Sequence, residues 1–127
     1  MATEPARIAI VDDDASVRKA LALLLTASSF ATETYGSAAE FLLSLTKGAP
    51  QCLIVDLQMP DMTGLELQHR LVSNGICIPT IAITAHNEFD ARRRCEAAGA
   101  KAFLLKPIQE EVLVAAIKSA IGVSDER

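Results

Sequence analysis

Five short apolar runs alternate with five segments of helical periodicity along this chain, and that alternation restricts its fold more than any other feature. The predicted strands are residues 7–11, 30–35, 52–56, 79–84 and 102–105, and the predicted helices are residues 15–28, 37–46, 63–73, 88–98 and 112–122. Strands separated by helices pair in parallel through right-handed crossovers, which place helices on both faces of the sheet. The sequence therefore predicts an α/β fold with a doubly wound, five-stranded parallel sheet in a three-layer sandwich.

The order of the strands follows from the polarity of the second run. Four of the runs are almost wholly apolar, as is typical of strands buried on both faces, whereas the second carries Thr32, Glu33 and Thr34. A polar second strand belongs at an edge of the sheet. This favours the order 2-1-3-4-5, in which strands one and three are neighbours at the topological switch point.

Several helix starts carry recognisable capping residues. Ser37 with Glu40, and Thr63 with Glu66, have the spacing of a capping box. Asn87 is a suitable N-cap for the fourth helix. Helices two, three and four are therefore predicted to begin at or just after these residues.

Polar side chains stand where the predicted strands end. Asp12 and Asp13 directly follow the first strand, and Asp56 closes the third. Because strands one and three lie side by side at the switch point, the loops after them are expected to open into one crevice. Thr84 and Lys106 end strands four and five on the same rim.

Three carboxylates in one crevice would repel one another unless a cation lay between them. Hard oxygen ligands with room for water favour magnesium, Mg²⁺, which uses few carboxylates and also contacts phosphate. A carboxylate nucleophile at Asp56, surrounded by Mg²⁺, the Thr84 hydroxyl and the Lys106 ammonium, is suited to forming an aspartyl phosphate. In this hypothesis Asp56 attacks, and Thr84 and Lys106 hold the equatorial oxygens.

Each of these residues also has an ordinary structural interpretation. The aspartates after the first strand could merely cap the first helix, but three acids exceed what a cap needs, so we favour metal binding, with Asp14, the third of them, as the cap or a spare residue. Asp56 alone would serve as a turn residue. Thr84 and Lys106 alone would be a strand-end threonine and a solvated lysine, and only their joint placement favours a site.

The composition argues against direct nucleic-acid binding by this domain. The formal net charge is −4, whereas binding to phosphates needs a basic surface. The run Arg92-Arg93-Arg94 does not supply one, because successive helical residues lie about 100° apart and cannot share a face. We expect these arginines to be solvated or paired.

The chain is expected to be cytoplasmic and to have no contact with a membrane. Cys52, Cys77 and Cys95 are far apart and form no CxxC motif, which suits reduced thiols. The first residues lack a secretory apolar region, and no apolar run approaches a membrane span. Residues 1–122 are predicted to form one domain, with residues 123–127 as a tail or the start of a linker.

With these residues identified, the chain resembles the receiver domain of two-component response regulators over nearly its whole length. The matching motifs are VDDD at residues 11–14, VDLQMPDMTG at 55–64, ITAH at 83–86 and KP at 106–107. The details of MPDMTG and TAH look most like the FixJ subfamily. The resemblance implies the flavodoxin-like fold of receivers, with the strand order given above.

The resemblance also implies roles for individual residues. Asp56 corresponds to the phosphoacceptor, and Asp12 and Asp13 correspond to the acidic pair that holds Mg²⁺ directly or through water. Asp56 itself and the backbone carbonyl of Gln58 would complete the protein ligands. Thr84 corresponds to the switch hydroxyl that follows the phosphoryl group.

The resemblance also implies which residues form the switch and the entrance of the site. Lys106 matches the phosphate-pairing lysine, and Phe103 matches the switch aromatic that turns inward when Thr84 moves. The Lys106-Pro107 bond matches a peptide bond that is usually cis in the family. Gln58, Ala85 and His86 would flank the phosphoryl group, where Gln58 and His86 would tune hydrolysis.

The implied function is a phosphorylatable signalling switch. A sensor histidine kinase would supply the phosphoryl group, and the response would be a homodimer or output surface formed by helix four, strand five and helix five. Transcription would be regulated through a C-terminal DNA-binding domain outside these residues. The domain would catalyse its own phosphorylation and dephosphorylation without being a turnover enzyme.

The residues also leave three alternative functions to consider. A flavin-binding electron carrier of the same topology would want a hydroxyl- and glycine-rich loop after the first strand, where this chain has aspartates. A phosphatase of the haloacid dehalogenase type would need a second Asp at position 58, which is Gln58. A degenerate receiver that only binds partners would not need the complete acidic set.

Overall fold

The computed structural model describes residues 5–86 and 89–122, and only the backbone of Phe89. Its strands are β1 (Arg7–Val11), β2 (Ala31–Tyr35), β3 (Cys52–Asp56), β4 (Thr80–Thr84) and β5 (Ala102–Leu105). Its helices are α1 (Ala15–Ala27), α2 (Ala38–Ser44), α3 (Gly64–Ser73), α4 (Phe89–Ala97) and α5 (Glu110–Ile121). A 3₁₀ turn at Leu45–Lys47 extends α2.

The five strands form one parallel sheet in the order β2-β1-β3-β4-β5, so the predicted fold and strand order are confirmed. The residues of β3 and β4 are all buried, whereas those of β2 are partly exposed, as its polar sequence indicated. Val11 pairs with Val55, and Asp56 pairs with Ile83. This register brings the carboxyl ends of the central strands to one rim.

Alternate residues of the strands build two apolar layers, one on each face of the sheet. On one face, Ile10 and Ile54 pack with Leu21 of α1 and Leu113 of α5. On the other face, the larger cluster joins β1 and β3 to α2 and α3, and a smaller one contains Leu57, Ala82, Cys95 and Phe103. The site described below therefore rests on a sheet that is covered on both sides.

The capping residues act largely as the sequence indicated. At α3 the capping box is complete, because Thr63 Oγ1 accepts from the Glu66 N–H and the Glu66 carboxylate accepts from the Thr63 N–H. At α2 the box is incomplete. Ser37 Oγ accepts from the Glu40 N–H, but the Glu40 carboxylate reaches past Ser37 to the N–H of Gly36. The predicted cap Asn87 lies outside the described residues, as does the predicted tail 123–127.

Several element bounds differ from the predicted ones. Helix α5 begins at Glu110 instead of residue 112, and β2 begins at Ala31 instead of residue 30. Cys52 and Cys95 are buried free thiols, and burial raises the pKa of the Cys52 thiol to about 12, while Cys77 is exposed. Within residues 5–86 and 89–122, no helix is both long enough and apolar enough to cross a membrane.

Helix α3 begins in direct contact with the end of β3. A Cβ atom added at Gly64 would lie 2.6 Å from the backbone oxygen of Asp56 and 3.0 Å from Leu57 Cδ2. Both neighbours belong to the loop that carries Asp56, and a backbone atom cannot move aside as a flexible side chain can. Only glycine fits this approach, which fixes the start of α3 against the acidic rim.

Replacing Gly64 with alanine is therefore expected to lower the free energy of unfolding by about 1–3 kcal/mol, the usual cost of overpacking. Urea denaturation followed by circular dichroism measures this change. Gly36→Ala is the control, since its nearest neighbour is a side-chain atom, Arg18 Nη1, at 3.3 Å, which needs to shift by only a few tenths of an ångström. It should lose less stability than Gly64→Ala does. A Gly64→Ala protein as stable as the wild type would contradict the close approach.

Candidate functional site

Three carboxylates meet at the carboxyl ends of β1 and β3. Asp12 is fully buried directly after β1, Asp56 is 3% exposed at the last position of β3, and Asp13 is exposed. One carboxylate oxygen from each lies within 4.8 Å of the others. The structure therefore brings together the three aspartates that the sequence analysis placed in one crevice.

The position of Asp12 is fixed mainly by backbone groups. Its Oδ1 accepts from the Asp14 N–H at 2.9 Å, and its own N–H donates to the Tyr35 carbonyl at 3.2 Å. Asp14 then caps α1, with Oδ1 accepting from the N–H of Ser16 at 2.9 Å. Of the two roles expected for Asp14, cap or spare residue, the structure shows the cap, and hydrogen bonds connect the loop after β1 to the helix that follows.

Arg18 also holds this loop, a role that was not predicted from the sequence. Its Nη1 donates to the backbone oxygen of Asp12 at 2.7 Å. Arg18 lies in the first turns of α1, four residues after the cap Asp14, so it points back toward the start of the helix. That position relative to the cap is the signal that could have identified it.

Asp56 and Lys106 form the charged centre of the site. Lys106 Nζ lies 3.0 Å from Asp12 Oδ2 and 3.6 Å from Asp56 Oδ1. Asp56 Oδ1 also accepts from the Gln58 N–H at 3.1 Å. The Lys106 N–H donates to the Thr84 carbonyl at 2.8 Å, which ties the end of β5 to the end of β4. The bond between Lys106 and Pro107 is cis.

The site raises the pKa values of both Asp56 and Lys106. Burial raises the pKa of Asp56, and repulsion from Asp12 and Asp13 adds to that rise, against the opposing effects of the Gln58 N–H and Lys106. Burial lowers the pKa of Lys106, but its contacts with Asp12 and Asp56 outweigh burial and raise the pKa overall. Lys106 is therefore a permanent cation at neutral pH, beside a carboxylate that is costly to ionise.

Thr84 and the residues after it complete the rim. The Thr84 side chain is 1% exposed, and its Oγ1 accepts from the His86 N–H at 3.1 Å. Gln58, Ala85 and His86 are exposed where the loops after β3 and β4 begin. Phe103 lies outside the acidic cluster, buried in the small apolar layer with Leu57, Ala82 and Cys95.

The donor set fits a hard divalent cation such as Mg²⁺. The carboxylates of Asp12 and Asp56 are both buried, and Asp12 Oδ2 makes no hydrogen bond with the described residues. Its contact with Lys106 Nζ is close enough for an ion pair but lacks hydrogen-bond geometry. A buried carboxylate oxygen without a hydrogen bond, beside two like charges, has the charge and hardness that this cation requires of its ligands.

Comparison with known proteins identifies the family. Residues 8–118 match the response regulator receiver domain, and the chain belongs to that family. It is 37% identical over 120 residues to the response regulator protein TodT of Pseudomonas putida, covering 94% of this chain and 53% of TodT. It is 40% identical over 111 residues to the transcriptional regulatory protein FixJ of Rhizobium meliloti, covering 87% of this chain and 54% of FixJ. The chain thus spans about half the length of these relatives.

Solved structures agree with this assignment. The crystal structure of FixJ-N superposes with a TM-score of 0.87 at 36% identity, covering 98% of this chain and 100% of that one. A response regulator receiver protein from Burkholderia phymatum gives a TM-score of 0.83 at 38% identity, covering 94% and 97%. The chain is therefore a receiver domain of two-component signal transduction, with FixJ among its relatives, as the motifs indicated.

Replacing Asp56 with asparagine is expected to stabilise the domain in the absence of divalent cations. The neutral amide removes a buried charge next to two others, which should raise the free energy of unfolding at pH 7 by about 1–3 kcal/mol. Because the pKa of Asp56 is raised on folding, the penalty on the wild type is fully present above that raised pKa. It disappears as the pH falls through it toward the unfolded value of about 3.9.

Urea unfolding in a chelator, repeated from pH 7 to pH 4, measures this difference, which should shrink on acidification. Adding Mg²⁺ should reverse the order, with about 2.7 kcal/mol of stabilisation of the wild type at a concentration of 100 times Kd. Asp14→Asn is the matched control, because it removes a nearby charge but leaves a residue that caps helices well. An Asp56→Asn protein less stable than the wild type in chelator would contradict the repulsion argument.

Proposed function

We propose that Asp56 is the phosphoacceptor of this receiver domain. The observation that carries the proposal is the placement of its buried carboxylate 3.6 Å from Lys106 Nζ, at the rim where Asp12 and Asp13 converge. An oxygen of Asp56 forms a bond to phosphorus while the bond from phosphorus to the histidine nitrogen of a sensor kinase breaks. The electron pair of that bond stays on the nitrogen.

Several groups of the chain support this transfer. Lys106 supplies a fixed positive charge for the phosphoryl oxygens and needs no reorganisation to do so. Thr84 Oγ1 accepts from the His86 N–H, so its own hydroxyl hydrogen is available to a phosphoryl oxygen. The Gln58 N–H holds Asp56 Oδ1 and so sets the orientation of the carboxylate.

We infer that Asp12, Asp13, Asp56 and the backbone carbonyl of Gln58 are the protein ligands of Mg²⁺. When bound, the cation would offset the charge of these carboxylates and of the phosphoryl oxygens. The buried Asp12 Oδ2, which accepts no hydrogen bond from the described residues, supports this ligand set. Because Asp56 is the residue that is modified, and water then hydrolyses its aspartyl phosphate to inorganic phosphate and the free carboxylate, the domain promotes its own phosphorylation and dephosphorylation without acting as a turnover enzyme on a separate substrate.

The phosphoryl group would act by shifting a conformational equilibrium. Thr84 would move toward it, and the aromatic ring of Phe103 would report that movement to the surface. Full switching from 1:99 to 99:1 requires about 5.5 kcal/mol of differential stabilisation. We propose that Leu105 of β5 and Val112 of α5, which are 43% and 46% exposed, belong to a homodimer or output face built from α4, β5 and α5.

The proposal extends to the whole protein through its relatives. One of them is described as a transcriptional regulatory protein, and this chain covers 54% of its length. We propose that residues 1–122 are the receiver, that residues 123–127 begin a linker or tail, and that the full protein regulates transcription through a C-terminal DNA-binding domain. We also propose that the protein is cytoplasmic, where a sensor histidine kinase would phosphorylate it. Free thiols such as that of the exposed Cys77 suit this reducing compartment.

Titration with beryllofluoride, a phosphoryl mimic, tests the acceptor. The wild type should respond only with Mg²⁺, Asp56→Asn should not respond at all, and the control Asp14→Asn should respond as the wild type does. Light scattering in the same titration measures whether the response is dimerisation. A response in Asp56→Asn, or none in the wild type with Mg²⁺, would overturn the assignment of Asp56.

The two exposed residues at the mouth of the site should control the lifetime of the phosphoryl group. Gln58→Ala and His86→Ala are expected to change the autodephosphorylation rate by about two- to tenfold, since a barrier change of about 1.4 kcal/mol is tenfold. His69→Ala, exposed on α3, is the control and should not alter the rate. Loss of radiolabelled phosphate over time measures the rates, and unchanged rates in both variants would exclude a tuning role.

A further inference from the structure

Few of the described side chains of helix α4, those of residues 90–97, are buried. Among its described side chains only Cys95 is buried, and Cys95 packs with Leu57, Ala82 and Phe103. Ala91 is partly buried against the same cluster. Phe103 is therefore one of the residues against which the buried side of α4 packs.

Phe103 and Thr84 occupy one face of the sheet. Ala82 pairs with Phe103 and Thr84 pairs with Leu105 across β4 and β5. Side chains alternate along a strand, so these four residues project from the same face, and the cluster of Ala82 and Phe103 with Cys95 shows that α4 covers it. Phe103 is thus a diagonal neighbour of Thr84, because it pairs with Ala82, which lies two residues before Thr84 on β4.

Arg92 of α4 covers the ring of Phe103. Its guanidinium carbon lies 5.7 Å from the ring centroid, within the range of a cation–π contact. Its Nε donates to Glu96 Oε2 at 3.2 Å, one helical turn further on. Glu96 therefore limits the positions open to the guanidinium while it lies over the ring.

Helix stability alone does not account for the positions of Arg92 and Glu96. A cation in the first half of a helix and an anion in its last turn both oppose the helix dipole. Placing the acidic residue C-terminal to its basic partner is also the weaker orientation of an i, i+4 pair. The placement of Arg92 one turn before Glu96 does, however, allow its guanidinium to lie over the ring of Phe103.

We propose that Arg92, held by Glu96, is a positioning residue that keeps the ring of Phe103 buried and so sets the resting balance of the switch. This inference rests on the proposed function, in which Phe103 reports the state of Thr84. A cation–π contact of this exposure changes an equilibrium by about two- to fivefold. The ratio of buried to exposed ring in the unphosphorylated domain should therefore depend on residue 92.

Fluorine NMR of the domain labelled with 4-fluorophenylalanine measures this ratio directly. The chain contains four phenylalanines, so a Phe103→Leu sample assigns the signal. In Arg92→Met the ratio of buried to exposed ring should fall about two- to fivefold, since the charge is lost while an apolar chain of similar length remains. Arg92→Lys keeps a cation without the planar group and should restore part of the loss.

Two controls separate this effect from changes in helix charge. Arg94→Met removes an equal charge from the same helix and should leave the ratio unchanged. Glu96→Gln should lower the ratio less than Arg92→Met does. Equal ratios in the wild type and Arg92→Met, or equal shifts in Arg92→Met and Arg94→Met, would overturn the proposal.

The experiment also distinguishes this inference from the proposed function. Beryllofluoride with Mg²⁺ should increase the buried fraction in the wild type and in Arg92→Met, with the variant remaining below the wild type. If beryllofluoride does not change the Phe103 ring signal of the wild type, the switch role of Phe103 is contradicted. The ratio measured without beryllofluoride still confirms or excludes the contact with Arg92.

Discussion

The interaction on which this structure depends is the contact of one lysine with two buried carboxylates. Asp12 and Asp56 end neighbouring strands, and without Lys106 they would face each other as uncompensated charges. Burial of an ionised carboxylate is tolerated only where it is paired, hydrogen-bonded or bound to a metal, and here Lys106 and backbone N–H groups supply the pairing and the hydrogen bonds. The sheet supplies the geometry, because parallel order brings both strand ends to one rim.

The same geometry explains why most of the fold could be predicted from the sequence. The strand Cys52–Asp56 is an apolar run with a charge at its end, and both its ends were predicted correctly. Bounds were less accurate where an element begins with exposed residues. Glu110 and Glu111 start α5 but contribute nothing to an apolar periodicity, so the prediction began at residue 112.

Sequence patterns could not predict contacts between side chains that are distant in the chain. The aspartates of the site were predictable because strand order alone brings them together. Arg92 was expected to be solvated or paired, and its pair with Glu96 fits that expectation, but its position over Phe103 depends on how α4 crosses β5. The displacement of the Glu40 carboxylate to Gly36 likewise depends on a local turn that the capping-box spacing does not encode.

The burial of the described side chains of α4 bears on local stability. Regions with few buried apolar contacts open at a lower free energy than the core, and Cys95 is the one buried residue among residues 90–97. Amide hydrogens of α4 should therefore exchange through local opening, well before those of β1, β3 and β4. The acidic rim thus adjoins a helix that packs against Phe103 through Cys95 and Ala91, and local opening of α4 would expose Phe103 while the central sheet stays folded.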